Sequence, residues 1–131
     1  SADIYEIKPE VLYTKEDLDY MNPESRSSKE MKDKSSRPAI KGKITDIDKY
    51  DTIYLGFPIW WYVAPTIINT FLESYDLSGK KIIPFATSGS SGMGKTNDAL
   101  KTSCPDSELL DGRVLNRVSD DELKKWIEEN K

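Results

Sequence analysis

Two short stretches of this chain hold the residue types that could do chemistry, and both sit where a strand runs out into a loop. The first is IYLGFPIWWYVAP, Ile53 to Pro65, in which an apolar run ends in Trp60, Trp61 and Tyr62. Indole and phenol rings at the carboxyl end of a strand offer flat walls to a flat, conjugated ligand, and ligands of open α/β sheets bind at that edge. The same rings could equally cap the core, because tryptophan carries a large hydrophobic payload. Both readings stand on this stretch alone. The second stretch is TSGSSGMG, Thr87 to Gly94, followed by Lys95 and Thr96. Its GSSGMGKT matches the pattern GxxxxGK[ST], in which backbone amides and a lysine cradle phosphates and the Ser/Thr hydroxyl meets magnesium. That chemistry also needs further strands, one of them ending in an aspartate that holds the metal's water. Too little chain follows Thr96 for this, and the nearest candidate, Asp111, is followed at once by Gly112. A glycine-serine loop of this kind also exposes amides and small hydroxyls that suit the polar rim of a ligand.

Strands and helices must position these loops. Ile53 to Phe57 is near-continuously apolar, as expected of a strand buried on both faces of a parallel sheet. Pro65 suits the first position of a helix, and Ile67, Ile68, Phe71, Leu72 and Tyr75 give that helix one apolar stripe. Lys80 to Thr87 (KKIIPFAT) reads as the next strand, although Pro84 is unusual inside a central one. Asn97, Ala99 and Leu100 start a further helix. Ser107 to Leu115 reads as a last strand broken by a turn or bulge at Asp111-Gly112. Ser119 and Glu122 form a capping box for a helix to Asn130, whose stripe is Leu123, Trp126 and Ile127. Upstream, Ala2 to Pro9 alternates like a short strand, and Thr14 with Asp17 approaches a capping box for a turn or two within Tyr13 to Tyr20. Asn22 to Pro38 is rich in Ser, Lys and Glu, with Met31 its only large apolar residue. It reads as a solvated surface excursion that could hold a loose helix, with a partner-docking loop as the weaker alternative.

Composition removes several function classes. The 131 residues make one domain by length, large enough to bury roughly two-thirds of the unfolded surface. The net charge of −4 argues against nucleic acid or an anionic membrane as partner. There is no histidine, so Ser–His–Asp and Cys–His mechanisms and His-ligated metals are out. Cys104 is the only cysteine, which leaves no internal disulfide and no zinc cluster. It lies beside Pro105 without an evident basic neighbour and reads as an inert thiol. The apolar run around Trp60 is too short to span a membrane and is broken by Gly56, Pro58 and Pro65. A reducing, cytoplasmic setting is the expectation.

Taken together, the two loops make the chain resemble the flavodoxin-like family of FMN-binding proteins. GFPIWWYVAPTIINTFLE (Gly56 to Glu73) is similar to that family's aromatic flavin loop and following helix. PFATSGSSGMG (Pro84 to Gly94) is similar to its second flavin loop, and SSRPAIKGKITDIDKYD (Ser35 to Asp51) has the look of the same group. The resemblance runs from Ala2 to Lys131. It implies an α/β, doubly wound, mostly parallel sheet with helices on both faces, in a single domain over residues 1–131. By that resemblance Pro58, Ile59, Trp60, Trp61 and Tyr62 pack along the isoalloxazine of FMN. Thr87, Ser88, Gly89, Ser90 and Gly92 hydrogen-bond its pyrimidine edge. No side chain is needed as a general acid or base, and no metal is implied. Gly94-Lys95-Thr96 is then a helix entry with no phosphate bound.

One departure from the family matters. The chain opens on Ala2-Asp3-Ile4, which resembles the family's second strand, so the first strand, its phosphate loop and the first helix lack a counterpart. Without that helix N-terminus the FMN phosphate loses its usual anion site, which weakens the affinity expected. The absent strand is a central one in the order 2-1-3-4-5. Either the Ala2 strand pairs directly with the Ile53 strand, or a second copy fills the gap, since open edges recruit other chains, or the sequence is truncated relative to the family. The implied function is electron transfer through FMN. A carrier would dock on a redox partner protein, whereas a small reductase would admit NAD(P)H and a flavin or quinone acceptor. A cofactor-free, self-associating fragment is the alternative.

Overall fold

The computed structural model describes residues 2–89 and 92–131. Its centre is a parallel sheet built on β3 (Thr52–Pro58) and β4 (Lys81–Thr87), the two strands anticipated from the apolar runs. They pair over their whole length, from Thr52 opposite Lys81 to Pro58 opposite Thr87. On the far edge of β4 lie two short strands, β5 (Glu108–Leu109) and β6 (Arg113–Val114), both parallel to it. They are the halves of the expected last strand, broken between Leu110 and Gly112.

That break explains Pro84. The Lys81 amide donates to Asp51 O, while the carbonyls of Lys80, Ile82 and Ala86 accept from Glu108, Leu110 and Leu115. By alternation, the backbone of residue 84 faces the β5–β6 edge, where proline has no N–H to give. The ladder is interrupted at just that level. Gly112, at φ +76°, passes so close that an added Cβ would lie 2.6 Å from Pro84 O. A proline is tolerated in a central strand here because its neighbour is a glycine bulge.

Helices cover the sheet. On α2 (Thr66–Glu73) the residues Ile67, Ile68, Phe71 and Leu72 are buried against Leu55, Phe57 and Ile82. Full burial of such side chains contributes about 1.5–3 kcal/mol each. The short α3 (Thr96–Lys101) adds Leu100, and Asn69 of α2 ties it down by donating to Ala99 O and Ser103 Oγ. The other face is covered by α4 (Asp120–Glu129), whose Trp126 packs edge-on against Tyr54 and Phe85. The Ser119–Glu122 capping box forms, with Glu122 N 3.1 Å from Ser119 Oγ. Gly56 belongs to this face: a Cβ there would come within 2.4 Å of the Phe85 ring.

Two expectations change in the first forty residues. Of Ala2 to Pro9, only β1 (Lys8–Pro9) is a strand, and it pairs antiparallel with β2 (Ile40–Lys41), apart from the main sheet. The Ala2 segment therefore does not pair with β3. A cavity of about 1080 Å³ separates them, lined by Ala2–Ile7 on one side, residues 52–58 on the other, and Ile47, Ile67, Ile68 and Phe71. Alternation from the Asp51 and Ile59 bonds turns the backbone groups of Thr52, Tyr54 and Gly56, and the Pro58 carbonyl, toward that cavity. Ile4, on the opposite wall, is 96 % exposed. The predicted surface excursion also packs more than its composition implied. It contains α1 (Arg26–Lys32), capped by Ser25, and Ser25, Ser27 and Ser28 are buried. Their hydroxyls satisfy one another, Ser25 Oγ lying 2.9 Å from Ser28 Oγ, so small polar residues are buried where the composition pointed to a solvated surface. The Thr14–Asp17 box forms reciprocally but closes only one turn.

Candidate functional site

Pro58 and Thr87 end the two central strands as direct partners. The ladder continues one step further, with Ile59 N donating to Thr87 O at 2.8 Å. Both loops singled out in the sequence therefore leave the same edge of the sheet side by side.

The first loop is a tight turn. Trp60 and Val63 exchange backbone hydrogen bonds at 2.8 and 3.2 Å, and the two residues between them, Trp61 and Tyr62, have φ of 46° and 72°. Positive φ at both central positions is hairpin-turn geometry normally reserved for Asn, Asp and Gly. For bulky aromatic residues it costs of order 1–3 kcal/mol each, and such strain concentrates at functional sites. The turn sets the rings differently: Trp60 is half-buried, Trp61 exposed, and Tyr62 is 71 % exposed. Tyr62 and Trp61 are thus not core caps; the buried tryptophan is Trp126.

The second loop is fastened to the first and to the C-terminal region. Thr96, fully buried, donates from Oγ1 to Tyr62 O at 3.4 Å. Gly94, at φ +51°, brings its backbone under the same carbonyl, which a Cβ would approach to 3.3 Å. A buried Thr96 whose hydroxyl points at Tyr62 does not suit the magnesium role of a phosphate-binding loop, and among the described residues no acidic cluster could hold a metal. Ser88 is held by Asn116, whose Oδ1 accepts from Ser88 N at 3.0 Å while its Nδ2 donates to Ser88 O. Asn116 escaped the sequence reading because an exposed Asn beyond a strand is an ordinary loop residue. Its role exists only once the β6 end lies beside β4.

Of the residues expected to line a site, Pro58 and Thr87 end β3 and β4, and Ile59, Trp60, Trp61, Tyr62, Ser88, Gly89 and Gly92 lie on the two loops that follow. Ser90 lies outside the described residues. Thr87, Gly89 and Gly92 are exposed at the loop surface and Ser88 is half-buried. The Ser88 backbone amide is committed to Asn116, so this residue steadies the loop through its main chain. Trp60 reaches a residue the sequence reading passed over: Tyr13, whose ring meets it edge-on with centroids 5.7 Å apart. Both line the cavity beside β3, with Pro58, Pro9 and Leu18. Cys104 is elsewhere and buried, and burial pushes its thiol pKa up, as expected of an inert cysteine.

The chain belongs to the flavodoxin family, whose profile matches residues 1–130. Among solved structures, a protein assigned as a flavoprotein from Bacteroides eggerthii is 47 % identical. It superposes with a TM-score of 0.92 over 98 % of this chain and 80 % of its own. Another from Bacteroides uniformis is 52 % identical with a TM-score of 0.89, covering 95 % of this chain and 80 % of its own. A flavoprotein from Lactobacillus acidophilus solved in complex with FMN shares the fold at 21 % identity, with a TM-score of 0.57 over 77 % and 65 % of the two chains. No curated protein matches. Among the described residues no helix is long and apolar enough to cross a membrane.

Proposed function

We propose that this chain binds FMN between its two coupled loops and serves in electron transfer. The observation that carries the reading is the joint at Tyr62: two loops leave paired strand ends, and Gly94 and Thr96 of one close on a carbonyl of the other. The residues fit a flavin ring. Trp60, Trp61 and Tyr62 supply flat apolar surface, and Thr87, Gly89 and Gly92 supply amides and a hydroxyl at the sheet edge for a polar rim. Flavin, when bound, supplies the redox chemistry, and the protein contributes binding, orientation and electrostatics. The strained Trp61–Tyr62 turn holds its rings outward in advance of the ligand, and Asn116 anchors Ser88 at the start of the neighbouring loop.

An FMN titration monitored by flavin fluorescence and visible absorption tests this. Quenching with shifted absorption bands is expected. Free-flavin spectra at high micromolar FMN would sink the reading. Reductive titration then separates two roles: a stable semiquinone marks a one-electron carrier that docks on a partner protein, while steady NAD(P)H-dependent reduction of a quinone marks a reductase.

A further inference from the structure

We propose that Tyr13, clamped by Arg26 and Glu30, is a positioning residue that fixes the ring of Trp60 where it borders the cavity, and through it shapes the flavin site. The inference rests on the cofactor reading above but stands on different contacts. Tyr13 lies far from both flavin loops in sequence and reaches Trp60 only through the fold.

The clamp consists of two side chains, Arg26 and Glu30. The Tyr13 hydroxyl donates to Glu30 Oε1. Arg26 stands over the Tyr13 ring at 3.8 Å from its centroid, and its Nε donates to the second oxygen of the same carboxylate at 3.0 Å. Its Nη1 donates to Val11 O at 2.6 Å. A second tie, Ser27 N to Asp17 O at 2.9 Å, joins α1 to the single turn after Tyr13. Arg26 and Glu30 are only 22 % and 15 % exposed at their side chains, so water competes weakly for these bonds. The phenol is also held in its protonated, donating form, since burial and the Glu30 bond both raise its pKa. What remains of the ring meets Trp60 at an interplanar angle of 75°, the edge-to-face geometry that gives an aromatic pair a preferred orientation. The Trp60 backbone is tethered to Val63, and among the described residues the aromatic partner of its indole is Tyr13. The Ser-, Lys- and Glu-rich segment that carries α1 thus bears on the aromatic loop as well as on solvent.

The test uses the full chain and three variants: Tyr13→Phe, which keeps the ring but drops the Glu30 bond; Tyr13→Ala; and Glu30→Gln. Fluorescence anisotropy decay of Trp60 is read in a Trp61→Phe/Trp126→Phe background, alongside FMN titration of the otherwise native chain. Expected are faster Trp60 depolarisation in Tyr13→Ala and an FMN Kd raised about two- to tenfold, the fold-change of one aromatic contact. Tyr13→Phe and Glu30→Gln should fall between native and Tyr13→Ala. Urea midpoints of Tyr13→Phe are read in parallel, because a merely structural role would lower them and leave depolarisation and Kd unchanged. Unchanged Trp60 depolarisation in Tyr13→Ala overturns the clamp. Failure of the native chain to bind FMN defeats the cofactor reading instead, and the depolarisation result still decides the clamp.

Discussion

Asn116 and Ser88 form a two-point bond in which one side-chain amide satisfies both backbone groups of a residue across the sheet edge. The arrangement carries the β4–β6 register two residues past its last pair, Ala86 opposite Val114. Asn116→Ala removes both bonds from an exposed site, so a loss of about 0.5–1.5 kcal/mol in urea denaturation is expected. FMN affinity should fall with it, and Asn116→Asp, which keeps the acceptor alone, should lie between. A variant that binds FMN as tightly as native would show that Ser88 needs no support.

Strain and binding separate at Tyr62. Glycine adopts its φ of 72° without penalty, so Tyr62→Gly relieves of order 1 kcal/mol of native-state strain. Part of this returns as added freedom in the unfolded chain. The denaturation midpoint should therefore hold or rise while FMN binding weakens, because the exposed ring is gone. Loss of both together would mean that the Tyr62 ring holds the turn.

Along β3, amide exchange should alternate. The N–H groups of Ile53, Leu55 and Phe57 face β4, and those of Thr52, Tyr54 and Gly56 face the cavity. The second set should exchange faster in hydrogen–deuterium measurements at low protein concentration. Equal protection of both sets would mean that another strand pairs with this edge.

Glu73, at the end of α2, links that helix to the loops that carry Arg37 and Ser103. Its carboxylate accepts from Arg37 Nε at 2.9 Å and from Ser103 Oγ at 2.6 Å, and these bonds, Arg37 first, hold its pKa below the ordinary carboxylate value. A depressed folded-state pKa gives stability that is complete above the unfolded pKa and is lost as pH falls through the folded one. The side chain is 41 % exposed, so the effect is modest. Glu73→Gln should remove part of the acid-induced loss in urea midpoint between about pH 5 and pH 2, and an unchanged slope would show the bridge to be inert.

Much of this molecule is legible in its residues. The β3 run, the α2 stripe, the broken last strand and the Ser119 cap are local patterns, and each formed where its pattern lies. The two loops are legible as well, because strand ends rich in aromatics or in glycine and serine declare themselves by type. Local pattern failed where the partner decides. Ala2–Ile7 alternates like a strand yet pairs with nothing in the main sheet, since a strand exists only with hydrogen-bonding neighbours. The serines around the start of α1 read as solvated, but Ser25, Ser27 and Ser28 are buried because their hydroxyls satisfy one another.

The sequence by itself determined the family, the core elements and the residue types offered at the sheet edge, because hydrophobic period and turn chemistry act over a few residues. Only the tertiary structure decided how those offers combine: Asn116 on Ser88, Thr96 on Tyr62, and Tyr13 on Trp60. Each pair joins residues far apart in the chain, and hydrogen bonds and ring contacts depend on distance in space, which spacing along the sequence does not carry.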